Sequence, residues 1–254
     1  MIKNCNGSER LLLPLTTHEI SSSRLGSCTR AVKGDFAEWA APNELWASDA
    51  EPSRDSSSVA LVGFFWLYTK TQTWKRKLSE IGEIINSEEC KQRESTGIVF
   101  QKDELEKMVY LQAALSESMR LYPPAPINLK EVEEDDVYPD GKRTRKGDIV
   151  FYHIFAMGRM ESIWGKDCNE FRPERWIKDG QFVSSKHFKY TVFNGGPRFC
   201  VGQKFAYLQT EMLATSILLR YKVIVAEGQV FSPKITTALY MKYGLLVTFQ
   251  PRQE

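Results

Sequence analysis

Phe193-Asn194-Gly195-Gly196-Pro197-Arg198-Phe199-Cys200-Val201-Gly202 presents one cysteine on a glycine-rich loop just ahead of an amphipathic stretch. From Phe205 the apolar residues Leu208, Met212, Leu213, Ile217 and Leu218 recur with a helical period to about Arg220. Cys200 therefore sits at or just before a helix N-terminus, where the macrodipole and free backbone N–H groups favour an anionic sulfur. Gly195, Gly196 and Gly202 let the backbone pass close to a flat ligand. Arg198, two residues before the sulfur, is placed to reach an anionic group on that ligand. Such a loop holds a metal through a single thiolate. An arbitrary lone cysteine is more often a small buried hydrophobe, so the choice between the two rests on the residues elsewhere in the chain.

Leu105, Met108, Leu111, Leu115, Met119 and Tyr122 fall on one helical stripe, and Pro123-Pro124 ends it, which predicts a helix over 102–122. Glu117 and Arg120, three apart, share a face of that helix. An isolated pair of this kind is usually a solvated surface bridge of little energetic consequence. A second arginine, Arg175, lies in the Pro-containing run Phe171-Arg172-Pro173-Glu174-Arg175-Trp176 upstream of the cysteine loop. A glutamate clamped between two guanidiniums would form a buried, hydrogen-bonded knot.

In order and spacing, FNGGPRFCVG, the Glu117-x-x-Arg120 pair and the Pro173-Glu174-Arg175 element resemble the haem-binding loop, the E-x-x-R pair and the P-E-R element of the cytochrome P-450 family. The resemblance runs from roughly Arg54 to Pro251. It implies that Cys200 is the axial ligand of a haem b iron and that Phe193, Gly196, Arg198 and Gly202 help to bind the haem. It also implies that Glu117, Arg120 and Arg175 form a structural cluster fixing the loop that carries Cys200. The expected fold is α+β, the mostly helical C-terminal half of that family's fold with small β-sheets. Two segments follow: residues 1–50, which do not match, and residues 51–254, a partial domain. Members of the family are about twice this long, and the other half would carry the membrane anchor and most of the distal substrate pocket.

Pro52-Ser53-Arg54-Asp55-Ser56-Ser57-Ser58-Val59-Ala60 resembles the family's oxygen-activating helix. Asp55 and Ser56 keep an acid and an alcohol that can relay protons, and they are the candidate catalytic residues. Pro52 and Ser53 replace the small pair usual there, and because proline is tolerated in a first helical turn, the helix is expected to begin near Pro52, capped by Asp49. The three serines in a row are equally compatible with a solvent-facing turn. Pro124–Leu129 and Thr236–Tyr240 correspond to pocket walls, though each also reads as ordinary core. Ala156–Asp167 and Glu134–Val137 resemble the plant fatty-acid ω-hydroxylase branch, which implies a long-chain fatty acid or related aliphatic substrate.

The implied activity is that of a haem-thiolate monooxygenase, with electrons drawn from NADPH through a cytochrome P-450 reductase. Arg198, Lys204, Lys186 and Lys189 offer a basic docking face, or simply a solvated surface. The implied location is the cytosolic face of the endoplasmic reticulum membrane, with the cytosol as the other compartment for a stretch lacking the anchor. The competing reading is a truncated, non-catalytic relative that binds haem weakly or not at all. A metal-thiol redox protein is disfavoured because no resolving cysteine lies near Cys200.

Composition excludes several other classes. A net charge of +2 is too small to argue for nucleic acid, and hydrophobic and charged contents of 42% and 26% are ordinary for a globular protein. The longest apolar run, Val59 to Tyr68, is too short to span a bilayer. The Leu11–Leu15 segment lacks the features of a secretory signal. Five cysteines without a C-x-x-C argue against a disulfide framework or a zinc site, so Cys5, Cys28, Cys90 and Cys168 read as free thiols.

Residues 1–50 show no sustained helix or strand period, and a helix is expected from Trp74 to Ile85. Asp140-Gly141 signals a hairpin whose second strand is Ile149–Tyr152. Residues 160–195 read as an irregular meander held by Trp164, Phe171, Trp176 and Phe193. Lys222–Ala226, Ile235–Met241 and Gly244–Gln250 have strand character.

Overall fold

The computed structural model describes residues 2–3, 9–12, 56–70, 100, 102–236 and 238–252. Six α-helices occur among them: α1 (Ser56–Lys70), α2 (Lys102–Glu106), α3 (Val109–Leu121), α4 (Ile154–Met157), α5 (Glu161–Trp164) and α6 (Gln203–Arg220). Helix α1 is apolar nearly all round, and Val59, Ala60, Val62, Phe64, Phe65, Leu67 and Tyr68 are all buried. Such a helix must be enclosed; α3, α6 and the strand Tyr221–Val225 pack against it. The expected helix start near Pro52 and the Trp74–Ile85 helix lie outside the described residues.

The single helix expected over 102–122 is two helices. Met108 leaves helical geometry (φ −82°, ψ 63°), Met108 N bonds to Leu105 O and Gln112 N bonds to Met108 O. The break lets Leu105 and Met108 both reach the core, where each is 1% exposed. Propensity favoured continuity, and burial of two apolar side chains outweighs the few hydrogen bonds rearranged at the turn.

The strands form small antiparallel sheets. The largest joins β1 (Ile2–Lys3), β2 (Glu9–Leu12), β9 (Tyr221–Val225) and β12 (Leu246–Pro251) in the order β1-β2-β12-β9. Glu9–Leu12 thus pairs with the far end of the chain although no strand period marks it. Around Asp140-Gly141 the hairpin is β4 (Asp136–Val137) with β5 (Arg143–Thr144), not with Ile149–Tyr152. That later strand, β6 (Ile149–Tyr152), pairs instead with β3 (Asn128–Glu131), in register Asn128 with Tyr152 and Glu131 with Ile149. The turn signal was sound, but the tight turn closes on the nearest residues and frees β6 for a partner farther away. Ile235–Met241, expected as one strand, is a hairpin of β10 (Pro233–Ile235) and β11 (Leu239–Met241). Residues 160–195 meander as expected through 3-10 turns, with one short hairpin, β7 (Ile177–Lys178) with β8 (Gln181–Phe182).

Two apolar clusters organise these elements. One gathers α1, α3, α6 and the largest sheet; the other gathers Trp164, Cys168, Trp176, Tyr190 and Phe193 with the partly buried Phe199, Cys200 and Tyr207. The second cluster lies between the Glu117 helix α3 and the cysteine loop.

Candidate functional site

Glu117 is fully buried on α3 and accepts hydrogen bonds from four neighbours. Arg120 Nε and Nη2 donate to its two oxygens at 2.8 Å each, a bidentate pair. Arg175 Nε donates to Oε1 at 3.2 Å, the Arg172 backbone N–H to Oε1 at 2.9 Å, and Trp176 Nε1 to Oε2 at 2.9 Å. The structure therefore brings Glu117, Arg120 and Arg175 together with neither carboxylate oxygen unpartnered. Arg120, itself 1% exposed, spends its remaining donors on backbone carbonyls of Gly158, Cys168 at 2.6 Å and Glu170 at 2.9 Å. A Cβ on Gly158 would overlap the Arg120 carbonyl oxygen, so the chain passes here only as glycine.

Arg175 also donates to Asp167, from Nη1 to Oδ1 at 3.0 Å and from Nη2 to the backbone carbonyl at 2.5 Å, and Arg172 pairs with the same carboxylate. Burial alone would lower the Arg175 pKa, but the hydrogen bond it donates to Asp167 and the charge of Glu117 raise it. Hydrogen bonding from Arg175 in turn lowers the pKa of Asp167, with desolvation opposing it and the charge of Arg175 and the Arg172 hydrogen bond adding to it. Asp167, the Trp176 ring nitrogen and the Arg172 amide are members of the knot that sequence reading missed. Trp176 was legible only as an apolar anchor beside Arg175, and a backbone amide carries no sequence signal.

From this knot a column of rings leads to the cysteine loop. Trp176 meets Tyr190 edge-on at 4.7 Å, Tyr190 meets Phe193 at 6.3 Å, and Phe193 meets Tyr207 of α6 at 5.5 Å. Phe193 O then accepts the Cys200 N–H at 2.9 Å, and Gln203 N bonds back to Cys200 O at 3.3 Å. Tyr207 joins α6 to α3 through Ser116, with their hydroxyls 2.8 Å apart. Burial, partly offset by hydrogen bonding with Ser116 and Tyr190, pushes the Tyr207 hydroxyl up to about 12, so it stays neutral. The loop is thus held from both sides by packed rings and two helices.

Cys200 is half-buried, three residues before the start of α6, and both it and Cys168 are free thiols. Gly196 sits at φ +64° with open space beside it, a left-handed conformation that suits glycine. Beyond the sulfur apolar side chains are exposed: Val201 on the loop is fully exposed, and Phe205 in the first turn of α6 is 63% exposed. Arg198 is exposed and borders a cavity of about 620 Å³ whose lining carries both charges, Lys130 and Lys146 beside Glu131 and Glu133. Asn128 donates to Asn194, tying the Pro124–Leu129 segment to the loop, and Leu239 N bonds to Pro124 O at 2.9 Å. The two expected wall segments therefore meet. Thr237 and Asp55 lie outside the described residues; Ser56 opens α1, and its side chain lies outside them. Cys5, Cys28 and Cys90 are outside them as well.

The donor set can be tested against the implied haem. Among the described residues no three His, Cys, Asp or Glu side chains converge as ligands for a bare metal ion. A metal that brings its own planar ring of ligands needs only one donor from the protein, and a half-buried thiol flanked by exposed apolar side chains and a cation fits a flat, apolar, anionic group. The residues fit.

The model of the cytochrome P-450 family matches residues 53–249. The chain belongs to the cytochrome P-450 family. It is 53% identical over 205 residues to cytochrome P-450 86B1 of Arabidopsis thaliana, an overlap covering 76% of this chain and 35% of that protein. Cytochrome P-450 94A1 of Vicia sativa is 42% identical over 207 residues, 78% of this chain and 38% of the relative. Alkane hydroxylase MAH1 of Arabidopsis thaliana is 41% identical over 196 residues, 77% of this chain and 37% of the relative. The chain spans between about a third and two fifths of the length of these relatives. In this cytochrome P-450 the α+β character and the small sheets accord with the family.

Proposed function

We propose that this chain carries the thiolate side of a haem-thiolate monooxygenase that hydroxylates a long-chain fatty acid or related aliphatic substrate. The observation that carries this reading is the placement of Cys200: a half-buried thiol whose loop is bonded to Phe193 and anchored through Trp176 to the Glu117 knot. Haem b, when bound there, supplies the redox centre for oxygen activation, and a thiolate ligand favours O–O cleavage. Cys200 is the ligand; Phe193, Gly196 and Gly202 shape the loop around it; Arg198 offers a cation to the anionic substituents. Glu117, Arg120 and Arg175 hold the loop without touching the reacting atoms. Pro124–Leu129 and Thr236–Tyr240 exclude water from the substrate side, and Asp55 and Ser56 relay protons.

The substrate class rests on likeness to the alkane hydroxylase and to the other plant relatives. Electrons come from NADPH through a cytochrome P-450 reductase docking on the cations around the loop, and Arg198, Lys186, Lys189 and Lys204 are all exposed. The cytosolic face of the endoplasmic reticulum membrane is the proposed location; among the described residues no helix is long and apolar enough to cross a membrane. A non-catalytic role, with haem bound weakly or not at all, is the second reading.

The deciding experiment loads the chain with haem, reduces it under carbon monoxide and records the Soret band. A red-shifted band that disappears in Cys200→Ala and persists in Cys168→Ala is the expected result. Persistence in Cys200→Ala overturns the ligand assignment, and no haem uptake supports the second reading.

A further inference from the structure

A groove of about 440 Å³ opens between the end of α1, the end of α3, α4 and the loop before β10. Its floor is a run of aromatic rings: Trp66 lies 5.6 Å from Phe231, and Phe231 lies 4.4 Å from Tyr122. A cation stands over each end. Lys70 Nζ is 4.6 Å from the Trp66 ring centre, and the Arg159 guanidinium is 5.2 Å from that of Tyr122 and 3.8 Å from that of Phe155. Among the described residues that line it, none is acidic.

Arg159 is the informative group. It is half-buried, its Nη1 donates to Phe155 O at 3.2 Å, and among the described residues no carboxylate pairs with it. Burial first, and the charge of Arg120 second among the lowering effects, depress its pKa. Arg120 and Arg175, by contrast, are both neutralised by carboxylates. A partly desolvated guanidinium stacked on rings but left without a counter-charge costs stability unless an anion completes it. The groove is wide open to solvent, and its lining sets the polar groups Lys70, Arg159 and Gln229 beside the aromatic rings, a mixture suited to a ligand with one charged end and one apolar stretch.

We propose that this groove binds a long-chain carboxylate, its headgroup on Arg159 and its apolar chain along Tyr122, Phe231 and Trp66, with Lys70 adding attraction at the far end. The groove stands apart from the cysteine loop: none of its lining residues belongs to Phe193–Gly202. The inference therefore does not depend on haem binding. Guanidinium recognises carboxylate in a bidentate fork, and the rings supply chain contacts without a polar cost.

The test is calorimetric titration of the full chain, without haem, with dodecanoate below its micelle concentration, and with dodecanol as the uncharged control. Saturable dodecanoate binding, at least tenfold tighter than dodecanol, is the expected result. Arg159→Gln is expected to remove most of that difference, and Lys70→Gln to weaken dodecanoate binding two- to threefold in a salt-dependent manner. The dodecanol comparison on the unaltered chain decides the matter even if Arg159→Gln fails to fold. Equal binding of the two probes, dodecanoate binding indifferent to both substitutions, or binding to anionic phosphatidylserine vesicles with none to monomeric dodecanoate would each overturn the proposal.

Discussion

Replacing Glu117 by Gln tests the organisation of the buried knot most directly. The carboxylate accepts from Arg120 twice, from Arg175, from Trp176 and from the Arg172 amide, at 2.8 to 3.2 Å, with no solvent exposure. An amide keeps the shape but removes the charge and turns one acceptor into a donor facing guanidinium N–H groups. Arg120 would stay buried with only backbone carbonyls for compensation, so the loss is expected at about 3–5 kcal/mol. Arg175→Gln differs. Glu117 keeps its bidentate partner, and Arg175 is 14% exposed at its side chain, so the loss is expected at about 1–2 kcal/mol. In urea unfolding followed by circular dichroism, with m of about 3 kcal/mol per M, these become midpoint shifts of about 1–1.7 M and about 0.3–0.7 M. Equal shifts, or a larger shift for Arg175→Gln, would refute the assignment of Glu117 as the centre of the knot.

Gly158→Ala should cost at least about 2–3 kcal/mol, because the new methyl overlaps the Arg120 backbone oxygen, whereas Gly141→Ala, at φ +84° with open space, should cost about 1 kcal/mol; thermal melts of both variants check the order. Glu211, 5% exposed with Oε1 lacking a partner among the described residues, has its carboxyl pushed up to about 8, by burial first and by Glu106 second. An acid whose folded pKa is raised stays protonated in the fold while the unfolded chain ionises. Stability is therefore full below about pH 4.5 as far as this group is concerned and falls progressively up to about pH 8, by a few kcal/mol at most. Glu211→Gln should flatten that slope between pH 5 and 8 in urea titrations, and an unchanged slope would refute the role of this group.

The residues that name the family are local patterns, and the sequence alone determined them: a cysteine among glycines before a helical period, and a Glu and Arg three apart on one helix face. Helix content followed for the same reason, since a 3.6-residue period is a short-range property. What only the tertiary structure decided is long-range or involves the backbone. The pairing of Ile149–Tyr152 with Asn128–Glu131, the break at Met108 and the strand at Glu9–Leu12 depend on which distant surfaces must be covered. The knot was half legible: its three ionic side chains could be foreseen, but the Arg172 amide, the Trp176 ring nitrogen and the need for glycine at 158 could not. Arg159 carries no motif that distinguishes it from the other arginines of the chain. Folding makes it distinct, by stacking it on Tyr122 and Phe155, partly desolvating it and leaving it without a carboxylate among the described residues.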